Sequence, residues 1–125
     1  MGRAQEDSHL CGNGKWYVYI MTNKPNGVLY IGVTDNIDCR VEEHKTKVYP
    51  ESFTARYNCD MLVYFEEFEE GSKASLREKQ MKKWNREWKI KLIEEMNPNW
   101  FDLSLNWNNT DLIYKTTRIS IRNKI

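Results

Sequence analysis

The sequence predicts a small α/β domain of the α+β type, in which a β-hairpin leads and a helix, a third strand and a long helix follow. Three observations carry that prediction. Residues Lys15 to Met21 alternate between two faces, and a second strand, Val28 to Val33, returns after a turn containing proline and glycine. Two later stretches repeat apolar residues at helical spacing. Residues Met61 to Phe68, MLVYFEEF, form a separate run rich in strand-favouring side chains.

In the first strand Trp16, Val18 and Ile20 fall on one face, and Tyr17, Tyr19 and Met21 on the other. The turn TNKPNG follows, with Pro25 fixing φ and Gly27 offering positive φ. The returning strand carries Tyr30 and Gly32, and Thr34 or Asp35 is expected to cap a helix running through about Lys47. The segment VYPESFTARYNCD reads as a loop before the third strand. One helix is then expected from about Ser72 to Met96, ended at NPNW because Pro98 disfavours helix in the residue before it.

A chain of 125 residues accommodates one core. Residues 1–14 are expected to form a flexible arm, 15–103 the ordered domain, and 104–125 a tail that is either an extra strand or disordered. A mean hydropathy of -0.78 implies a densely charged surface, while a net charge of only +1 gives no global argument for a polyanionic partner. No apolar run approaches the ~18 residues of a membrane span. The start, MGRAQEDSHLCGNG, lacks the apolar centre of a secretory signal, so a cytoplasmic protein is expected. Cys11, Cys39 and Cys59 make no C-x-x-C pair, which suits free thiols rather than a zinc site.

Two polar residues are placed oddly. On a helical wheel Ile37, Val41 and His44 share a face, with Arg40 between them. A guanidinium on the inward side of a helix calls for an anion; the competing reading is that Arg40 reaches solvent or pairs with a nearby glutamate. On the long helix Ala74, Met81, Trp84, Trp88 and Leu92 form the apolar stripe, and Glu78 lies at its edge. A lone core-facing carboxylate is a candidate Mg²⁺ ligand, since that ion is commonly held by one or two carboxylates; the plainer alternative is an ion pair from Glu78 to Lys82. The run Lys73–Lys91, Lys82 included, is either a phosphate-tracking face or a solvated one. Arg56 and Tyr57, beside Phe53 and Thr54, form an aromatic and basic cluster able to hold a nucleic-acid strand by stacking, or a packed connection.

Taken in order, Tyr17-Val18-Tyr19, Tyr30-Ile31-Gly32, Arg40 and His44, then REKQMKKW with Glu78, resemble the GIY-YIG nuclease domain in its small stand-alone branch. The resemblance spans about Lys15 to Leu103 and includes the closing LIEEMNPNWFDLS. Tyr17 departs from it, standing where the family name has glycine. The resemblance implies a three-stranded antiparallel sheet flanked by helices. It also implies a divalent-metal-dependent endonuclease hydrolysing DNA phosphodiester bonds, as in DNA repair or recombination, with RNA a further substrate class.

Its site would comprise Tyr19, Tyr30, Arg40, His44 and Glu78, with Glu78 ligating one Mg²⁺ or Mn²⁺. Tyr19 would orient or deprotonate the attacking water, helped by a cationic His44 or Arg40; Arg40 would clamp the phosphate, and Gly32 would let the backbone approach it. Asn97 is the nearest match to the family's asparagine after the metal glutamate, and is assigned with Arg56, Tyr57 and Lys82 to substrate binding. A monomer or weak dimer, with a protein partner supplying specificity, completes the expectation. The competing function is a catalytically silent nucleic-acid-binding module on the same scaffold. A purely protein-interacting domain using Trp84 and Trp88 fits less well, because those residues read as core.

Overall fold

The computed structural model describes residues 14–106. The expected arm and most of the expected tail lie outside the described residues. Strand β1 (Trp16–Thr22) is central, with β2 (Leu29–Thr34) antiparallel on one side and β3 (Met61–Phe68) antiparallel on the other. The helices are α1 (Ile37–Thr46), the one-turn α2 (Phe53–Arg56), α3 (Gly71–Lys83) and α4 (Arg86–Met96), and a 3₁₀ turn spans Leu103–Asn106.

Because successive strand residues point to opposite faces, β1 feeds two cores at once. Val18 and Ile20 pack with Ile31, Ala74, Met81, Ile93 and Trp100 on the α3 and α4 side. Tyr17, Tyr19 and Met21 pack with Ile37, Val41, Leu62 and Phe65 on the α1 side. The two-faced alternation expected of β1 is what the strand shows. A register shift in the β1–β3 ladder at Ile20/Met21 leaves Val63 opposite no partner of its own. That extra residue lets both Val63 and Tyr64 serve the α3 and α4 side, while Leu62 and Phe65 stay on the other.

Five local expectations are corrected. The hairpin turn closes with Gly27 N–H donating to Lys24 O (2.9 Å), but the left-handed residue is Asn26, φ 59°, rather than Gly27. Gly27 is needed because a Cβ there would run into the Asn23 carboxamide, which accepts from Val28 N–H instead. The cap of α1 is Asn36, whose Oδ1 accepts from Cys39 N–H; Thr34 Oγ1 in turn accepts from Asn36 N–H and orients it. The segment expected to be a loop contains α2, started by Ser52 Oγ accepting from Ala55 N–H.

The expected single long helix is two. Trp84 and Asn85 are extended, and the Asn85 side chain accepts from Trp88 N–H to begin α4 afresh. An asparagine that caps a new helix competes with continuing the old one. The break also turns the tryptophans out of line: Trp84 is half-buried, under the Arg77 guanidinium at 5.1 Å, and Trp88 is 58% exposed, so Trp88 is not core.

Candidate active site

Antiparallel pairing brings the motif residues together. Tyr19 lies opposite Gly32 and Met21 opposite Tyr30, so Tyr19, Tyr30 and Gly32 share one face of the hairpin. A Cβ on Gly32 would stand 2.5 Å from the Tyr19 hydroxyl oxygen and 2.6 Å from its Cζ. The glycine therefore makes room for the Tyr19 phenol, which lies flat across the neighbouring strand, and that internal contact accounts for it before any approach of a substrate does.

Helix α1 meets this face with Ile37, Val41 and His44 inward. His44 Nε2 is 2.9 Å from the Tyr19 hydroxyl, and His44 Nδ1 is 2.7 Å from Thr54 Oγ1. Tyr30 closes the group, its ring 6.2 Å from that of Tyr19 and 5.5 Å from that of His44. Arg40, one turn before His44, flanks the Tyr19 hydroxyl and forms a 2.8 Å ion pair with Glu43. The competing reading of Arg40, an internal glutamate partner, is thus what the structure contains, and the guanidinium also faces the two phenols.

The electrostatics follow from burial. Tyr19, 1% exposed, has its phenol pushed well above the usual range by desolvation and by Tyr30, with Arg40 opposing. His44 is lowered to about 4 by desolvation and then by the Arg40 charge. It is therefore neutral at pH 7, and the expectation of a cationic His44 beside Tyr19 is corrected; Arg40 is the cation that faces the phenol. Desolvation works against the Arg40 charge, but Tyr19 and Glu43 outweigh it and hold the guanidinium firmly protonated.

Glu78 is supplied by a different element. It is on α3, one turn on from Ala74 and one before Met81, the two residues that helix buries against the sheet. Its side chain is 15% exposed, and its carboxylate forms an ion pair with Lys82 at 2.6 Å. No group of three or more His, Cys, Asp or Glu side chains among the described residues could by itself hold a metal. Lys82 is exposed on the same helix. Arg56 at the end of α2 and Tyr57 just after it are exposed; the Tyr57 ring lies 4.7 Å from Phe53, and Phe53 stacks 5.9 Å from Tyr30. An open row of rings thus runs outward from the buried tyrosine and histidine.

Asn97 is corrected. It is 3% exposed, its Nδ2 donates to Val63 O and Phe101 O, and its Oδ1 accepts from Phe101 N–H. Every polar atom of the amide is taken up in fixing the chain after α4, so Asn97 does not face a substrate. Thr54 is the reverse case. It is 2% exposed and bonded to His44, whereas the sequence placed it only in an aromatic and basic cluster with Phe53, Arg56 and Tyr57.

Comparison with known proteins identifies the family. Residues 15–91 match the GIY-YIG catalytic domain. A UPF0213 protein of Staphylococcus haemolyticus is 38% identical over 81 residues, which cover 65% of this chain and 96% of that one. A UPF0213 protein of Syntrophus aciditrophicus is 37% identical over 81 residues, covering 65% and 92%. A third, from Desulfotalea psychrophila, is 40% identical over 63 residues, covering 50% and 56%. No solved structure matches the chain at a comparable level. No helix among the described residues is long and apolar enough to cross a membrane.

Proposed function

Since the chain belongs to the GIY-YIG family, a family of nuclease domains, we propose that it is a divalent-metal-dependent endonuclease that hydrolyses DNA phosphodiester bonds. The observation that carries this reading is the convergence of Tyr19, Tyr30, His44 and Arg40 on one face of the hairpin, with Tyr19 bonded to a neutral imidazole. A phosphodiesterase must activate a water, neutralise the growing charge on phosphorus and assist the leaving 3′-oxygen.

The residues fit a divalent ion held through one carboxylate. Glu78 is that carboxylate, largely shielded yet partnered by the exposed Lys82, and Mg²⁺ is commonly completed by water and substrate phosphate. Bound there, Mg²⁺ or Mn²⁺ would supply positive charge to the phosphate and leaving oxygen. Arg40 offers planar, paired donors to the non-bridging oxygens. Tyr30, whose ring edges His44, donates its hydroxyl to the same phosphate.

Tyr19 takes the proton of the attacking water only as its own proton passes on. A free phenol has a pKa of ~10, and burial raises this one further, so a standing phenolate is not the base. His44 Nε2, neutral and 2.9 Å away, receives the phenol proton. An anionic phosphate at Arg40 cancels part of the charge that depresses His44, so substrate itself makes the imidazole a better acceptor. The rings of Phe53 and Tyr57 and the Arg56 charge offer contacts to the flanking nucleotides.

The test is a cleavage panel of supercoiled plasmid, single-stranded, flapped and branched DNA, and an RNA hairpin. Each is run with Mg²⁺, with Mn²⁺ and with EDTA, beside Glu78→Ala. The expected result is metal-dependent cutting that Glu78→Ala abolishes while binding persists. Absence of cutting, with binding that weakens as salt rises, would replace the nuclease by a silent nucleic-acid-binding module.

A further inference from the structure

Thr54 is buried, polar and unused by the chemistry described so far. Its hydroxyl has two neighbours, His44 Nδ1 at 2.7 Å and Ser52 Oγ at 3.3 Å. Around it α2 is held at three points. Ser52 caps its start, Cys59 N–H donates to Thr54 O at 2.8 Å, and Phe53 stacks on Tyr30. Adjacent residues of α2 thus touch the two polar rings of the site, Phe53 on Tyr30 and Thr54 on His44.

We propose that Thr54 is a positioning residue that locks His44 in the tautomer protonated on Nδ1, leaving the Nε2 lone pair free to receive the Tyr19 proton. The proposal deepens the nuclease reading and rests on it for its catalytic consequence.

The donor inventory is consistent with a single direction for the whole chain of hydrogen bonds. Arg40 has donors only, so what it presents to the Tyr19 oxygen is N–H. In the proposed arrangement the Tyr19 oxygen accepts from that side and directs its own hydrogen to His44 Nε2, 2.9 Å away. An imidazole accepting at Nε2 while neutral carries its proton on Nδ1, which donates to Thr54 Oγ1. Thr54 then passes its hydroxyl hydrogen to Ser52 Oγ. Every hydrogen in this chain points away from Arg40.

The reverse tautomer runs the chain backwards. Nε2–H would donate to the Tyr19 oxygen, His44 would present no lone pair there, and the phenol proton would have no acceptor in the imidazole. With the Nδ1–H form the step balances. The Tyr19 O–H bond breaks as Nε2–H forms, the water proton moves to the Tyr19 oxygen, and the hydroxide so formed attacks phosphorus. Once the 3′-oxygen has left and taken a proton from solvent, Nε2 returns its proton to the Tyr19 oxygen as the Tyr19 hydroxyl releases its own proton to solvent, which restores both groups.

The experiment compares wild type, Thr54→Val and Thr54→Ser by imidazole ¹⁵N NMR and by cleavage kinetics. His44 is one of two histidines in the chain, and His9→Asn assigns its signals. Expected are a pyrrole-like Nδ1 and a pyridine-like Nε2 in wild type and Thr54→Ser, and loss of that pattern in Thr54→Val. The cleavage rate should fall about 10²-fold in Thr54→Val with KM little changed, and recover in Thr54→Ser.

Nε2 protonated in wild type, or a tautomer unchanged in a folded Thr54→Val, would overturn the proposal. If Thr54→Val does not fold, the wild-type and Thr54→Ser spectra still decide the tautomer. A wild-type chain that cuts nothing, yet shows the Nδ1–H form and its dependence on Thr54, would support the lock and refute the nuclease reading alone.

Discussion

The buried imidazole makes a quantitative prediction about acid stability. His44 is 5% exposed and its pKa is lowered to about 4 by desolvation and the Arg40 charge. In the unfolded chain it returns to about 6.5. Between these two values the unfolded state binds the proton and the folded state does not. Stability is therefore unaffected above pH 6.5 and is lost as pH falls towards 4. Integrating the difference in bound protons gives a loss of about 2 kcal/mol at pH 5 and about 3 kcal/mol at pH 4. Asp102, held below its ordinary range by Lys45, Ser104 and the Leu62 N–H despite its burial, also loses stability in acid, so a bare pH profile mixes sources.

The assay is urea unfolding from pH 7.5 to pH 4.5, run on wild type and on His44→Gln. Glutamine keeps a polar side chain beside Tyr19 and Thr54 without titrating. The difference between the two profiles should grow as pH falls below 6.5, with wild type losing about 2 kcal/mol more than the variant by pH 5. Parallel profiles would refute the reasoning, because they would mean that His44 titrates alike folded and unfolded and is not held neutral at the site.

Four further outcomes are expected. Gly32→Ala drives a methyl group into the Tyr19 ring, with both Oη and Cζ within 2.6 Å, so it should cost about 1–3 kcal/mol and abolish cleavage together; an active, fully stable variant would show that the ring has room to move. Arg77→Ala takes the guanidinium from the fully buried Glu66 carboxylate (2.8 Å, bidentate) and should cost about 3 kcal/mol in urea unfolding; a loss under 1 kcal/mol would show the pair to be solvated. Arg40→Ala should lower the cleavage rate at least ~10²-fold, and an unchanged rate would remove it from the phosphate clamp. Tyr19→Phe removes only the hydroxyl that bonds His44 and should lower the rate ~10²-fold or more without loss of folding, whereas a rate near wild type would exclude Tyr19 as the proton acceptor.

The reach of pattern reading can be followed residue by residue. The period of two in Trp16–Met21 placed Tyr19 on the opposite face from Val18 and Ile20, and the spacing of Arg40 and His44 placed both on one side of a helix. Those are local facts, because backbone geometry alone fixes where successive side chains point. The ordered set of Tyr19, Tyr30, Gly32, Arg40, His44 and Glu78 was likewise legible along the chain, and with it the family.

Capping chemistry was harder to read. Asn36 and Asn85 start helices because their amides reach a backbone N–H three residues on, and Asn85 thereby divides an apolar stripe whose period alone ran unbroken. Local competition of this kind is settled by a fraction of a turn, which is why one expected helix became two and Trp88 came out exposed.

What the sequence by itself determined is the three strands and the first helix, the inward faces of the hairpin and of that helix, and the family. What only the tertiary structure decided is which groups meet. Asn97 and Thr54 are both small polar residues outside the strands, but packing turned one onto backbone carbonyls and the other onto an imidazole. The charge state of His44 was decided there too, since neither desolvation nor the nearness of Arg40 exists until α1 lies on the sheet. Contacts between residues distant along the chain, and the electric field those contacts create, arise only when the two cores close around β1.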